Sequence, residues 1–174
     1  MSNIIAGIVR GQIPYLEEHI AQKRAIYFRY KEGLKDLPVT MNPYDENNSN
    51  PNFWLSCLLI NKEAMAPMVR GDKDYLYKSE KGKSSPHEIL DILSSFNAEG
   101  RPIWKPMHLQ PIYRNHAFIT KDGNGRGRSN AYISSSFLDV GADIYQRSLC
   151  LPSDNKMTEE EQKRVIELIH KCFE

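Results

Sequence analysis

The sequence predicts a mixed α/β domain of two layers: a long N-terminal helix, then a small sheet flanked by helices. Three observations carry that reading. Residues 2–36 repeat apolar side chains at three- and four-residue steps, the stripe of a helix. Short apolar runs at 53–60 and 149–151 read as strands. Further helical stripes follow Pro86 and Thr158, mixed in order with the strands.

In chain order, Ser2 or Asn3 can cap the first helix by accepting a free backbone N–H. Its stripe is Ile5, Ile8, Val9, Ile13, Leu16, Ile20, Ile26, Tyr27, Tyr30 and Leu34, with Glu17, Glu18, Lys23, Arg24, Arg29 and Lys31 on the wet face. Pro14 removes a donor and clashes with the preceding turn, so a kink or two abutting helices is expected near Gly11–Pro14. Gly33 and Pro38 are stop signals. Val39–Met41 is a short strand, and residues 42–51 form a loop because Asn, Asp, Ser and Pro favour turns. Phe53–Ile60 is apolar throughout and is expected to be buried on both faces, with Trp54 in the core. Residues 62–82 are mixed and charged and suggest no element.

Ser85, Pro86 and Glu88 open a helix, as cap, first residue and partner in a capping box. Its stripe is Ile89, Leu90, Leu93 and Phe96, and Gly100–Pro102 ends it. Ile103–Tyr113 is expected to be extended and stiffened by Pro106 and Pro111. Asp139–Arg147 is a short helix and Leu149–Leu151 a buried strand. Ser153 and Asp154 are expected to cap a last helix through Thr158–Phe173, with the stripe Val165, Ile166, Leu168 and Ile169. One domain spans 1–174, and its sheet is expected to be antiparallel in part.

Composition excludes several function classes. Lys+Arg 23 against Asp+Glu 22 leaves +1, without the basic excess of a dedicated nucleic-acid binder. The mean hydropathy is −0.56, and no apolar run approaches the ~20 residues that span a bilayer. The start has no basic lead-in and too short an apolar part for a signal peptide. Three cysteines, none in a Cys-x-x-Cys pair, suggest neither a disulfide framework nor a zinc ribbon. Cys57 and Cys150 read as buried small hydrophobes, and a reducing, cytoplasmic setting fits. The scattered histidines form no metal-binding spacing. Gly123–Arg128 invites a phosphate-loop reading, but no helix begins directly after it, so a flexible loop within 115–136 is expected.

Four segments, in order, form a distinctive set. They are Met1-Ser2-Asn3-Ile4 opening a helix that ends Arg29-Tyr30-Lys31-Glu32-Gly33-Leu34; Arg101-Pro102-Ile103-Trp104-Lys105-Pro106-Met107-His108-Leu109-Gln110-Pro111; Leu149-Cys150-Leu151-Pro152-Ser153; and Thr158-Glu159-Glu160-Glu161-Gln162. Together they resemble the C-terminal part of the DegT/DnrJ/EryC1/StrS family of pyridoxal-phosphate-dependent sugar aminotransferases. The Trp-Lys-Pro-Met-His and Leu-Cys-Leu-Pro-Ser strings resemble the branch that aminates UDP-4-keto-6-deoxy-N-acetylglucosamine. The resemblance implies the small C-terminal domain of the fold type I, aspartate-aminotransferase-like architecture, with residues 1–36 as its long connecting helix.

The resemblance also implies a large N-terminal domain that carries the Schiff-base lysine and most cofactor contacts. Typical members read Tyr-Asn-Tyr-Arg ahead of Met-Ser-Asn, where this chain starts. The expectation is therefore a fragment, a truncated frame or half of a split gene, inactive alone and binding no pyridoxal phosphate itself. Ser148 stands where glycine is usual, Gly100 where serine is commoner, and 115–136 looks expanded.

The resemblance implies substrate contacts for His108, Trp104, Lys105, Arg101 and Tyr113, a cofactor contact for Asn3, and no catalytic residue or metal. Arg101 suits a diphosphate, or equally an ion pair with Glu99 or Asp91. Trp104 and Tyr113 suit stacking on uracil or a sugar face, or packing. Lys105 suits phosphate or plain solvation. The implied partners are a nucleotide sugar and either a second copy or a separately encoded cofactor-binding half. A non-catalytic nucleotide-sugar-binding or assembly module, or a decayed fragment, is the alternative.

Overall fold

Ser2 accepts the Ile5 N–H on its hydroxyl and starts α1, Asn3–Gln12. Pro14 cannot continue the helical ladder, and the chain tightens into a 3₁₀ turn over Ile13–Tyr15. α2, Leu16–Gly33, resumes directly, so the expected pair of abutting helices is present and ends at Gly33. The structure is a computed structural model that describes residues 1–70, 75–113, 116 and 139–174.

The remaining elements are β1 Val39–Met41, β2 Cys57–Ile60, β3 Met68–Arg70, β4 Tyr75–Tyr77, α3 Pro86–Ser95, β5 Arg101–Pro102, α4 Val140–Arg147, β6 Ser148–Cys150 and α5 Glu159–Lys171. The main sheet runs β1-β2-β6-β5 and is antiparallel at every pairing, not just in part. The β3–β4 hairpin stands apart as a second sheet.

The core lies between the main sheet and three helices. Tyr27, Tyr30 and Leu34 of α2 and its C-terminal end, Ile89 and Leu93 of α3, and Val165, Leu168 and Ile169 of α5 meet Leu58, Ile60 and Leu149 of the sheet. Leu58, Ile60 and Leu149 are wholly buried, each worth roughly 1.5–3 kcal/mol over exposure. The Tyr30 hydroxyl donates to the Pro152 carbonyl at 2.8 Å, so even this deep tyrosine is satisfied. Buried Gln162 of α5 donates to the Ile26 carbonyl and accepts from Arg29, fixing α5 against α2. By contrast α1 buries nothing: Ile4 is 78% and Ile8 62% exposed.

Several expectations are corrected. The strand predicted at 53–60 forms only from Cys57, and Trp54 is 65% exposed, outside the core. The hairpin occupies part of the unassigned 62–82 stretch. Glu88 does not close a capping box. Ser85 accepts its N–H, but its own carboxylate takes the hydroxyls of Ser79 and Ser84. Phe96 lies exposed past the end of α3.

The last helix is capped by Thr158, not by Ser153 or Asp154. Thr158 and Glu161 make the reciprocal box, while Ser153 accepts the Ser56 N–H. The 103–113 segment is not simply extended: two 3₁₀ turns, Met107–Leu109 and Pro111–Tyr113, break it. The loop expected over 115–136 lies, apart from His116, outside the described residues. No helix among the described residues is long and apolar enough to cross a membrane.

Candidate functional site

β5 lies at the sheet edge beside β6, with Arg101 opposite Cys150 and Pro102 opposite Leu149. The chain leaving β5 carries Trp104 outward, 62% exposed. The chain entering β2 carries Trp54 toward it, and the ring centroids stand 5.9 Å apart at 36°. A cleft of about 470 Å³ opens beside this pair, lined among others by Lys23, Leu55, Arg101 and Cys150.

Trp54 faces outward because of its predecessor. Phe53 has φ 51, an uncommon backbone state for a bulky residue and one that costs of order 1–3 kcal/mol. The turn drops the Phe53 ring into the core, 4.3 Å centroid to centroid from Tyr27 and edge-on to Tyr44 at 5.2 Å. The Arg24 guanidinium covers its outer side at 5.6 Å. Asn52 accepts the Trp54 N–H at 3.1 Å and holds the turn. Core packing of Phe53 thus sustains the strain that presents Trp54.

Charge at the cleft is mixed. Arg101 brings both Nε and Nη2 onto Glu99 Oε1, at 3.0 and 2.7 Å. Of its two candidate carboxylate partners the structure pairs it with Glu99; Asp91 instead accepts from Tyr77. Both members of the Arg101–Glu99 pair are three-quarters exposed, so the pair is worth little and yields readily to a better anion. Lys23 donates to the Ser153 carbonyl. Burial pushes its ammonium below the ordinary lysine range, against the opposing pull of Asp154.

His108 stands elsewhere. Its Nε2 lies 2.6 Å from Asp139 Oδ2, with both side chains largely covered. The other Asp139 oxygen accepts the Ala142 N–H and caps α4. One carboxylate therefore fixes both a helix start and an imidazole. A continuously extended segment would set Trp104 and His108 on one face, but the 3₁₀ turn that begins at Met107 breaks that alternation.

Of the remaining predicted residues, Lys105 is exposed, and its carbonyl accepts from Gln110 at 3.3 Å. Tyr113 packs edge-on to His116 at 5.7 Å. Asn3 is exposed at the first position of α1. The structure thus joins Arg101 with Trp104, and seats His108 and Tyr113 in other contacts. Sequence reasoning missed Trp54, hidden in an apolar run, and Asp139, which pairs across 31 positions with no local signal.

Pyridoxal phosphate, the cofactor the resemblance implies, makes definite demands on its seat. That group needs a desolvated lysine free to bond it, a carboxylate facing its ring nitrogen and donors for its phosphate. Lys23 is desolvated but engaged by the Ser153 carbonyl, with Asp154 beside it. No described cluster completes the set, and the described residues do not fit the cofactor. Nor, among the described residues, do three or more His, Cys, Asp or Glu come together for a metal.

Comparison with known proteins agrees on one group. The model of the DegT/DnrJ/EryC1/StrS aminotransferase family matches residues 1–170. EpsN of Bacillus subtilis (strain 168), described as a pyridoxal phosphate-dependent aminotransferase, is 30% identical over 173 residues, 99% of this chain and 36% of that protein. The sugar aminotransferase Spr1654 of Streptococcus pneumoniae, in its PLP form, superposes with a TM-score of 0.70 at 15% identity, covering 99% of this chain and 36% of that one. A DegT DnrJ EryC1 StrS aminotransferase from Brucella abortus gives 0.63 at 17% identity, over 92% of this chain and 33% of that one. The fold is that of the fold type I pyridoxal-phosphate aminotransferases. The chain spans about a third of the length of the relatives it matches.

Proposed function

Because the chain belongs to the DegT/DnrJ/EryC1/StrS aminotransferase family, we propose that it forms the substrate-cleft edge of a sugar-nucleotide aminotransferase acting on a UDP-4-keto-6-deoxy amino sugar. In that family pyridoxal phosphate supplies the amino-transfer chemistry. Here it would be held by residues outside the described part of this chain. Without such residues the chain is expected to show no transaminase turnover.

One observation carries the reading: Arg101 and the exposed Trp54–Trp104 pair line the same cleft. An indole face suits a uracil ring or the apolar face of a sugar. A guanidinium fork held, among the described residues, by an exposed carboxylate can exchange it for a diphosphate. Strain stored at Phe53 keeps the aromatic surface in place before a ligand arrives, which lowers the ordering cost of binding. His108, oriented by Asp139, would address the ligand only from beyond the Met107 turn.

The exposed apolar face of α1, with Ile4, Ile5, Ile8 and Val9, fits contact with a second body. In this reading that body is a second copy of the chain or a cofactor-bearing half.

Titration with UDP-N-acetylglucosamine, followed by amide chemical shifts, tests the reading. Perturbations are expected at residues 101–104 and around Trp54, weak in affinity and reduced by Trp104→Ala. Arg126→Ala should leave them unchanged. Shifts centred on residues 123–128, with 101–104 silent, would overturn it.

A further inference from the structure

Cys57 and Cys150 face each other across the centre of the sheet, in register on β2 and β6. Their sulfurs lie 3.7 Å apart. The pairing type matters. The Cys57 N–H donates to Asn42 Oδ1, and its carbonyl accepts the Asn42 N–H, so both its backbone groups point away from β6. The neighbouring Leu151 N–H donates to the Ser56 carbonyl at 2.9 Å. Cys57 and Cys150 are therefore a non-hydrogen-bonded antiparallel pair, the kind whose Cα atoms approach to about 4.5 Å. That separation falls inside the roughly 4.4–6.8 Å window that a disulfide spans.

We propose that Cys57 and Cys150 form a reversible disulfide when the protein meets hydrogen peroxide, making the centre of the sheet a redox modification site. The step balances. The Cys150 thiolate attacks one peroxide oxygen, the O–O bond breaks, and hydroxide leaves and is protonated to water. Cys150 is then a sulfenic acid. The Cys57 sulfur attacks that sulfur, the S–S bond forms, and a second water departs with the Cys57 proton. Both sulfurs are oxidised and the peroxide is reduced; a dithiol returns the pair to thiols.

The order of attack follows from the surroundings. A Cys57 S–H that donates to the Cys150 sulfur favours the Cys150 thiolate, and that same contact, with burial adding to it, holds the Cys57 thiol up. Cys150 also lines the cleft beside Trp54 and Trp104, which gives a small oxidant its way in. Cys172 is a built-in control. It is buried at the cap just past α5, its thiol bonded to the Leu168 carbonyl and pushed up to about 12 by burial.

The chain's two tryptophans both line this cleft, so its indole emission reports on the cleft alone. The reduced chain is treated with hydrogen peroxide, then denatured, alkylated and mapped. The expected product is a Cys57–Cys150 linked peptide, a mass lower by about 2 Da than the reduced pair, and an alkylated Cys172. Tryptophan emission falls as the disulfide forms and recovers with dithiothreitol. Cys57→Ser and Cys150→Ser each abolish the recoverable change. Recovery of Cys57 and Cys150 as separate alkylated or sulfinic peptides from the wild-type chain, with no linked peptide, would overturn the proposal whether or not the variants fold. The outcome is independent of nucleotide-sugar binding.

Discussion

Gly33 and Ile166 set how closely α2 and α5 approach: a Cβ built on Gly33 would lie 2.6 Å from Ile166 Cδ1. The contact is reinforced by His170, whose Nε2 sits 2.9 Å from the Gly33 carbonyl oxygen. Gly33→Ala is therefore expected to push the end of the Ile166 side chain aside and to destabilise the chain by about 1 kcal/mol, the low end of overpacking costs. Ile166→Val in the same chain should return part of that loss. Urea unfolding of the single and double variants checks it, and a Gly33→Ala chain as stable as wild type would remove close packing as the reason for the glycine.

Asp139 serves His108 and the start of α4 at once. Asp139→Ala should cost about 1–2 kcal/mol, the usual range for a lost cap. Asp139→Asn keeps an acceptor for the Ala142 N–H and should cost clearly less. Hydrogen exchange at Ala142 separates the two effects: fast exchange is expected only in the alanine variant.

Acid sensitivity is expected at the junction of α4 and the sheet. Arg147 grips Asp143 with Nε and Nη2, at 3.0 and 2.6 Å, and Lys62 stands 3.6 Å away. The guanidinium holds the Asp143 carboxyl below its ordinary value of 3.8, with Lys62 adding to the effect. A carboxylate depressed in the folded state stabilises above its unfolded pKa, and the gain fades as pH falls through the folded one. The pair is partly solvated, so its contribution is at most about 1 kcal/mol near neutrality. Wild type should be more stable than Asp143→Asn above pH 3.8, and the gap should close below it. A gap that persists unchanged in acid would show that the pair contributes through packing instead.

The apolar face of α1 predicts association. Ile4 and Ile8, 78% and 62% exposed, lie one turn apart on the helix. Wild type should show a concentration-dependent rise in mass by light scattering. Ile4→Glu with Ile8→Glu should shift it toward monomer with little loss of stability, because neither side chain is buried. A wild-type chain monomeric at every concentration would refute this.

The sequence by itself determined the helices, the break at Pro14 and a buried central strand, read at 149–151 and formed one residue earlier at 148–150. Local chemistry suffices there: Ser2, Ser85 and Asp139 are acceptors at helix starts, and Pro14 cannot donate. The four segments that resemble the aminotransferase family were equally legible, since they are contiguous strings. The tertiary structure alone decided which side of the chain Trp54 faces. An apolar run reads as buried, but the left-handed Phe53 reverses it, and only the Tyr27–Tyr44 pocket makes that conformation affordable. The same holds for pairs distant along the chain. His108 with Asp139 is 31 positions apart and Cys57 with Cys150 is 93, and strand register rather than sequence spacing brings the two sulfurs together. The hairpin at 68–77 was invisible for a related reason: Val69 and Leu76 pair across it yet stay exposed, so no buried face imprinted an alternating pattern on the sequence.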